Sequence, residues 1–230
     1  IVGDNPYDLN SGNYGNGDPS NRVKTESHGT HVAGIIAAER NNGKGANGVA
    51  KNVEIMSLRA VPNGDEYDKD IANAIRYAAD NGAKVINCSF GKSFSPNASW
   101  VHDAIKYAAS KDVLIVHAAG NDGDDLDNPE NENYPNDHKN TESEFTNNVI
   151  TVGALTSAYG SELMANFSNY GTRNVDVFAP GAKIYSTMPG SEYEFQGGTS
   201  MAAPAVSGVA ALIRSYYPQL KAYQVKQIIM

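Results

Sequence analysis

Short, uninterrupted apolar runs recur along this chain, with helical stripes between them. Val113 to Val116, Val149 to Val152 and Val175 to Phe178 are long enough for strands and too short for helices. Lys84-Val85-Ile86-Asn87-Cys88 and Val53-Glu54-Ile55-Met56-Ser57-Leu58-Arg59 read the same way. Between them lie helical faces. Ile71, Ile75, Ala78 and Ala79 share one, with Asp68 as the expected N-cap and Asn81-Gly82 as the stop. Val101, Ile105 and Ala108 share another, with Asn97 as its expected cap. Buried-type strands alternating with helices predict an α/β fold, a three-layer α/β/α arrangement around a mainly parallel central sheet.

The 230 residues suit one domain, and no internal repeat divides them. Acidic residues outnumber basic ones 26 to 18, a net charge of -8, which disfavours nucleic acid as a partner. No apolar run approaches the roughly 18 residues of a membrane span. The single cysteine, Cys88, rules out an intrachain disulfide and reads as a small buried hydrophobe.

Three segments carry chemistry. Gly197-Gly198-Thr199-Ser200-Met201-Ala202-Ala203-Pro204 sets a Ser among small residues at the mouth of a helix striped by Val206, Val209, Ala210 and Ile213. Pro204 suits a first helical turn, so Ser200 is expected near a helix N-terminus, where free N–H groups stabilise a developing oxyanion. Ser27-His28-Gly29-Thr30-His31-Val32-Ala33-Gly34 places His28 at the entrance of another small-residue helix. Val113 to Gly120 is a buried-type strand that ends in a turn carrying Asn121. A nucleophile, a base and an oxyanion donor are what acyl transfer needs, and Ser200, His28 and Asn121 are those types.

With these blocks in this order, the chain resembles the subtilisin-like serine proteases, the subtilases, over nearly its whole length. The resemblance implies a serine endopeptidase acting on protein or peptide substrates, with Ser200 as nucleophile and His28 as general base. It implies Asn121 as side-chain oxyanion donor beside the Ser200 N–H. It implies that Ser89, Phe90 and Gly91 pair with the substrate backbone. Ala118, Ala119 and Gly120 would line the pocket for the residue before the scissile bond, an open pocket suited to large apolar side chains. An extracellular, cell-surface or periplasmic setting follows from the family alone.

The family's Asp, in an apolar strand followed by Ser/Thr-Gly, has no counterpart here upstream of His28. Ile1-Val2-Gly3-Asp4 imitates it faintly, but Asn5-Pro6 follows, and Asp8 and Asp18 lie in polar, turn-rich sequence. The expectation is a catalytic domain cut at both ends, with the acid upstream of Ile1 and a helix stopping abruptly at Met230. On that reading this exact chain turns over little or nothing, and a missing N-terminal segment of the same protein is a candidate partner. The alternative from another class is a catalytically silent, protease-like peptide-binding module.

The remaining polar features receive plain readings. His31 packs a helix, His117 ends a strand in the core, and His102 and His138 are expected at the surface. No metal ligand set is expected, since His28 and His31 lack the Glu and spacing of a zinc site. The acidic stretch from Asn121 to Asn148 reads as a solvated insertion. No cofactor is required. Calcium is the one candidate ion, at the acidic stretch or at the loop Asn41 to Gly48, where Lys44 would oppose it.

Overall fold

The computed structural model describes residues 5–10, 15–18, 20, 25–61, 66–139 and 143–230. Asp4 lies outside the described residues, as does part of the Gly/Asn-rich stretch from Asn10 to Asn21. The elements run α1 (His28–Ala37), α2 (Asp68–Asp80), β1 (Val85–Cys88), α3 (Ala98–Ser110), β2 (Leu114–Ala118), β3 (Val149–Leu155), β4 (Val177–Pro180), β5 (Ile184–Met188), β6 (Glu192–Gln196), α4 (Thr199–Tyr216) and α5 (Ala222–Ile229).

Strands β1 to β4 form one sheet in that order, with every neighbour parallel. Helices α4 and α5 cover one face, through Ala202, Val206, Ala210 and Val225 on Leu114, Val116, Ile150 and Val152. Helices α2 and α3 cover the other, through Ile71, Ile75, Ala104 and Ile105 on Val113, Ile115 and Val149. The fold is α/β in three layers, as the apolar runs require. Parallel strands end at one edge of such a sheet, so the turns after β1 and β2 fall side by side, where α/β folds build sites. No helix among the described residues is long and apolar enough to cross a membrane.

Several local expectations are corrected. Residues 53–60 form no strand, and Ile55, Met56 and Leu58 stand exposed. An apolar run becomes a strand only where a neighbour accepts its hydrogen bonds, and among the described residues none does. Val209 also faces solvent, so the buried stripe of α4 runs through Ala202, Ala203, Val206 and Ala210. Asp68 does not cap its own helix, which begins at Asp68 after Tyr67. Its buried carboxylate instead accepts from the Asn97 N–H at 2.8 Å and the Ser95 hydroxyl at 2.6 Å, and pairs with Lys92 at 2.8 Å. Asp68 thus tethers the entrance of α3, where the Asn97 side chain makes no cap bond.

An antiparallel hairpin, β5–β6, follows the sheet, one that the apolar runs of the sequence do not predict. It locks α1 in place. The Ser186 hydroxyl donates to the His31 carbonyl at 2.7 Å, and the Thr187 hydroxyl to the Thr30 carbonyl at 2.9 Å. On its other side α1 packs against α4, with Val32 and Ile35 meeting Met201.

Candidate active site

Ser200 is the second residue of α4, so its N–H belongs to the first turn, which has no intrahelical acceptor. Pro204 sits six residues into this helix and not in its first turn. A proline there cannot donate to the carbonyl four residues earlier, which is that of Ser200. The Ser89 hydroxyl fills the gap, donating to the Ser200 carbonyl at 2.8 Å. Ser89 is itself held by the Asn87 amide at 2.8 Å, and Asn87 by the Ser207 hydroxyl at 2.8 Å. The strand end after β1 is thereby stitched to α4. In return, the Ser200 hydroxyl donates to the Ser89 carbonyl at 3.1 Å.

Asn121 follows β2 and faces the same helix start. Its Oδ1 accepts from the Thr199 N–H at 2.8 Å and the Thr199 hydroxyl at 3.0 Å. The Thr199 oxygen accepts from the Gly120 N–H at 3.1 Å. Thr199 is fully buried, and sequence reasoning gave it no role. Its signal was its place between the glycine pair and Ser200. Gly120 has φ +102, and a Cβ there would fall 2.4 Å from the Asn169 amide nitrogen. Only glycine fits that turn.

His28 begins α1 and stands at the surface. No hydrogen bond joins it to Ser200, whose hydroxyl rests on Ser89. Crowding by surrounding atoms, and then repulsion from His31, hold the His28 ring below its usual value, so it is neutral at pH 7. A neutral imidazole can accept a proton.

A cleft of about 830 Å³ opens along this arrangement, lined by Phe90, Gly91, Ala118, Gly120, Asn121 and Ser200 among others. Ser89 touches Ser200 from behind and does not line the cleft. Ala119, expected in the pocket wall, is fully buried against Leu126 and Val175 and does not line it either. Alternation explains the split at Ala118, Ala119 and Gly120, since neighbours in an extended run face opposite ways.

The profile of the Subtilase family matches residues 3–230. The chain belongs to the subtilase family. It is 43% identical over 210 residues to a "Thermophilic serine proteinase" of Bacillus sp. (strain AK1), covering 91% of this chain and 46% of that protein. It is 42% identical over 189 residues to "Thermitase" of Thermoactinomyces vulgaris, covering 82% of this chain and 61% of that protein. The chain thus spans about half the length of these curated relatives. Among solved structures, "Sphericase" superposes with a TM-score of 0.79 at 31% identity, over 95% of this chain and 72% of that one. The fold of this subtilase is therefore subtilisin-like.

The other histidines divide. His31 is fully buried, with Nε2 3.1 Å from the Glu194 carbonyl, and packs its helix. His117 is buried, with Nε2 3.0 Å from the Phe90 carbonyl, and burial pushes it down to about 4. His102 and His138 are not at the surface. His102 is half-buried, 2.8 Å from the Asn136 Oδ1 and packed on Phe145, and His138 is buried. Their polar sequence surroundings fold inward: residues 135–138 of the acidic stretch are buried, not solvated. Burial pushes the Cys88 thiol up to about 12.

In the loop Asn41–Gly48 three oxygens are already engaged. The Asn47 and Asn42 side-chain oxygens accept N–H groups of Asn41 and Lys44 at 2.9 Å each, and Arg40 donates to the Gly48 carbonyl. Lys44 adds a positive charge that opposes a dication there. Among the described residues no three His, Cys, Asp or Glu side chains gather to hold a metal.

Proposed function

We propose that this subtilase is a serine endopeptidase that hydrolyses peptide bonds through an acyl-enzyme on Ser200. The observation that carries the reading is the anchoring of Asn121 by Thr199 beside the unengaged N–H of Ser200 at the start of α4. With Oδ1 occupied, the Asn121 amide has only N–H groups left to offer a ligand.

In this reading the Ser200 hydroxyl swings from the Ser89 carbonyl toward His28, a tightening that apo sites commonly require. Its oxygen bonds to the substrate carbonyl carbon while His28 takes the proton. The carbonyl oxygen becomes an oxyanion, which Asn121 and the Ser200 N–H stabilise. His28 returns the proton to the leaving nitrogen as the C–N bond breaks. Water then attacks the acyl carbon and gives a proton to His28, and Ser200 is released with a carboxylic acid product. The substrate backbone pairs with the segment from Ser89 to Gly91. The family argument extends to a setting outside the cytosol, which fractionation of producing cells tests.

The experiment is intact-mass spectrometry after treatment with a fluorophosphonate. One adduct on the folded chain, lost in Ser200→Ala, is expected. No adduct on a folded sample overturns the reading for this chain and leaves a catalytically silent peptide-binding module or an inactive fragment of the full enzyme.

A further inference from the structure

The expected open pocket for an apolar side chain is polar in the structure. Asn133 occupies the wall beside Gly91 and Ala118. Its Nδ2 donates to the Ala118 carbonyl at 3.0 Å, and a Cβ at Gly91 would lie 2.5 Å from its Oδ1. That Oδ1 accepts no hydrogen bond among the described residues. The same cleft is also lined by Asp122, Asp124, Glu130 and Glu132. Among the described residues none of these four forms an ion pair. Lys92, the one lysine or arginine among the described residues lining the cleft, is committed: it pairs with Asp68 at 2.8 Å and donates to the Glu66 carbonyl at 2.7 Å.

We propose that this cleft selects peptides with Lys or Arg at the residue entering beside Asn133, Gly91 and Ala118. The inference rests on the proposed peptidase reading, in which this residue precedes the scissile bond. An ammonium or guanidinium offers only donors, and this cleft offers the Asn133 amide oxygen and a set of carboxylates. An apolar side chain would cover those oxygens and give nothing back. A cleft lined by one sign of charge with low-dielectric walls also focuses its field on the incoming ligand. An acidic peptide meets that field as repulsion.

The test measures binding, so it does not depend on turnover. Dye-labelled hexapeptides Ala-Ala-Pro-X-Ala-Ala, with X as Lys, Leu or Glu, are titrated into the full chain carrying Ser200→Ala and followed by fluorescence anisotropy. The Lys peptide is expected to bind about tenfold tighter than the Leu peptide at low salt, with the Glu peptide weakest. Raising salt from about 0.02 M to about 0.5 M should collapse that preference, because screening shortens to a few ångströms. Combining Asp122→Asn with Glu132→Gln should bring the Lys peptide down to the affinity of the Leu peptide. A Leu peptide that binds as tightly as the Lys peptide, a preference indifferent to salt, or no peptide binding overturns the proposal. A fluorophosphonate adduct without Lys preference overturns this inference alone. Lys preference without an adduct leaves the cleft's selectivity and removes the catalytic reading.

Discussion

The Oδ1 atom of Asn121 takes two hydrogen bonds from one residue, Thr199: the backbone N–H at 2.8 Å and the hydroxyl at 3.0 Å. Two anchors fix the plane of the amide and leave its N–H groups as the only free polar edge. A donor fixed before the reaction loses nothing to reorganisation when charge develops.

Asn121→Ala should therefore lower kcat by about a hundredfold or more, a size taken from the loss of one such donor in subtilisin. KM should barely move, because the donor acts on the oxyanion and not on the ground state. Thr199→Val should give a smaller loss of the same kind, since it removes one anchor and strands the Gly120 N–H. Steady-state kinetics on a single peptide substrate separate the two parameters. A rise in KM with kcat unchanged would contradict the role.

The pH profile of kcat/KM reports the base in the free enzyme. In the proposed mechanism His28 must be neutral to accept the Ser200 proton, so activity should rise with pH as the ring loses its charge. Crowding and His31 lower that transition. The ascending limb should therefore have its midpoint below the 6.5 of an ordinary histidine. His31→Gln removes the repulsion, though not the crowding, and should move the midpoint partway back up.

Ser89→Ala tests the junction at Pro204. It strips the hydroxyl from the Ser200 carbonyl and leaves that acceptor unpaired, at a cost of about 1–3 kcal/mol. For a domain of this size each kcal/mol is about 2–4 °C in Tm. Calorimetry on the variant checks it. An unchanged Tm would mean that water replaces the hydroxyl without loss.

A buried ionic cluster sets the pH dependence of stability. Lys226 on α5 lies 2.9 Å from each Glu144 carboxylate oxygen and 3.3 Å from the Asp176 Oδ1. Asp137 is buried in the same neighbourhood. Burial, with Glu144 and Asp176 adding to it against Lys226, pushes Asp137 up to about 7 from the ordinary 3.8. Burial raises Asp176 as well. In the folded state Asp137 keeps its proton across a range where the unfolded chain has released it. Its contribution is therefore full below about pH 4 and is lost as pH rises through about 7, at most about 4 kcal/mol. Tm should fall between about pH 4 and about pH 7, and Asp137→Asn should flatten the slope. A Tm that climbs over this range would refute the assignment.

Legibility in the sequence followed the strength of local periodicity. The strands at Val85, Leu114 and Val149 are apolar on both faces and were plain, as was the helix through Ile71 and Ile75. The Val53–Arg59 run had the same composition but no partner, and partnership is not local. The β5–β6 hairpin was missed because its strands mix Tyr, Ser, Glu and Phe, although Pro189-Gly190 between them is a turn signal. Ser200, His28 and Asn121 stood out as chemical types at element ends. Thr199, Ser89 and Asn133 act by pointing at partners far along the chain, and only folding reveals such pointing. The burial of Asp137 and His138 was hidden in the same way by polar neighbours in sequence.

The hairpin that holds α1 has a consequence for biosynthesis. The carbonyls of Thr30 and His31 are gripped by side chains 155 to 157 positions later, and α1 packs on α4, later still. As the chain leaves the ribosome, His28 has no fixed place until residues beyond 184 have emerged. The position of His28 is thus decided by segments more than 150 residues downstream, and not by its own neighbours in sequence.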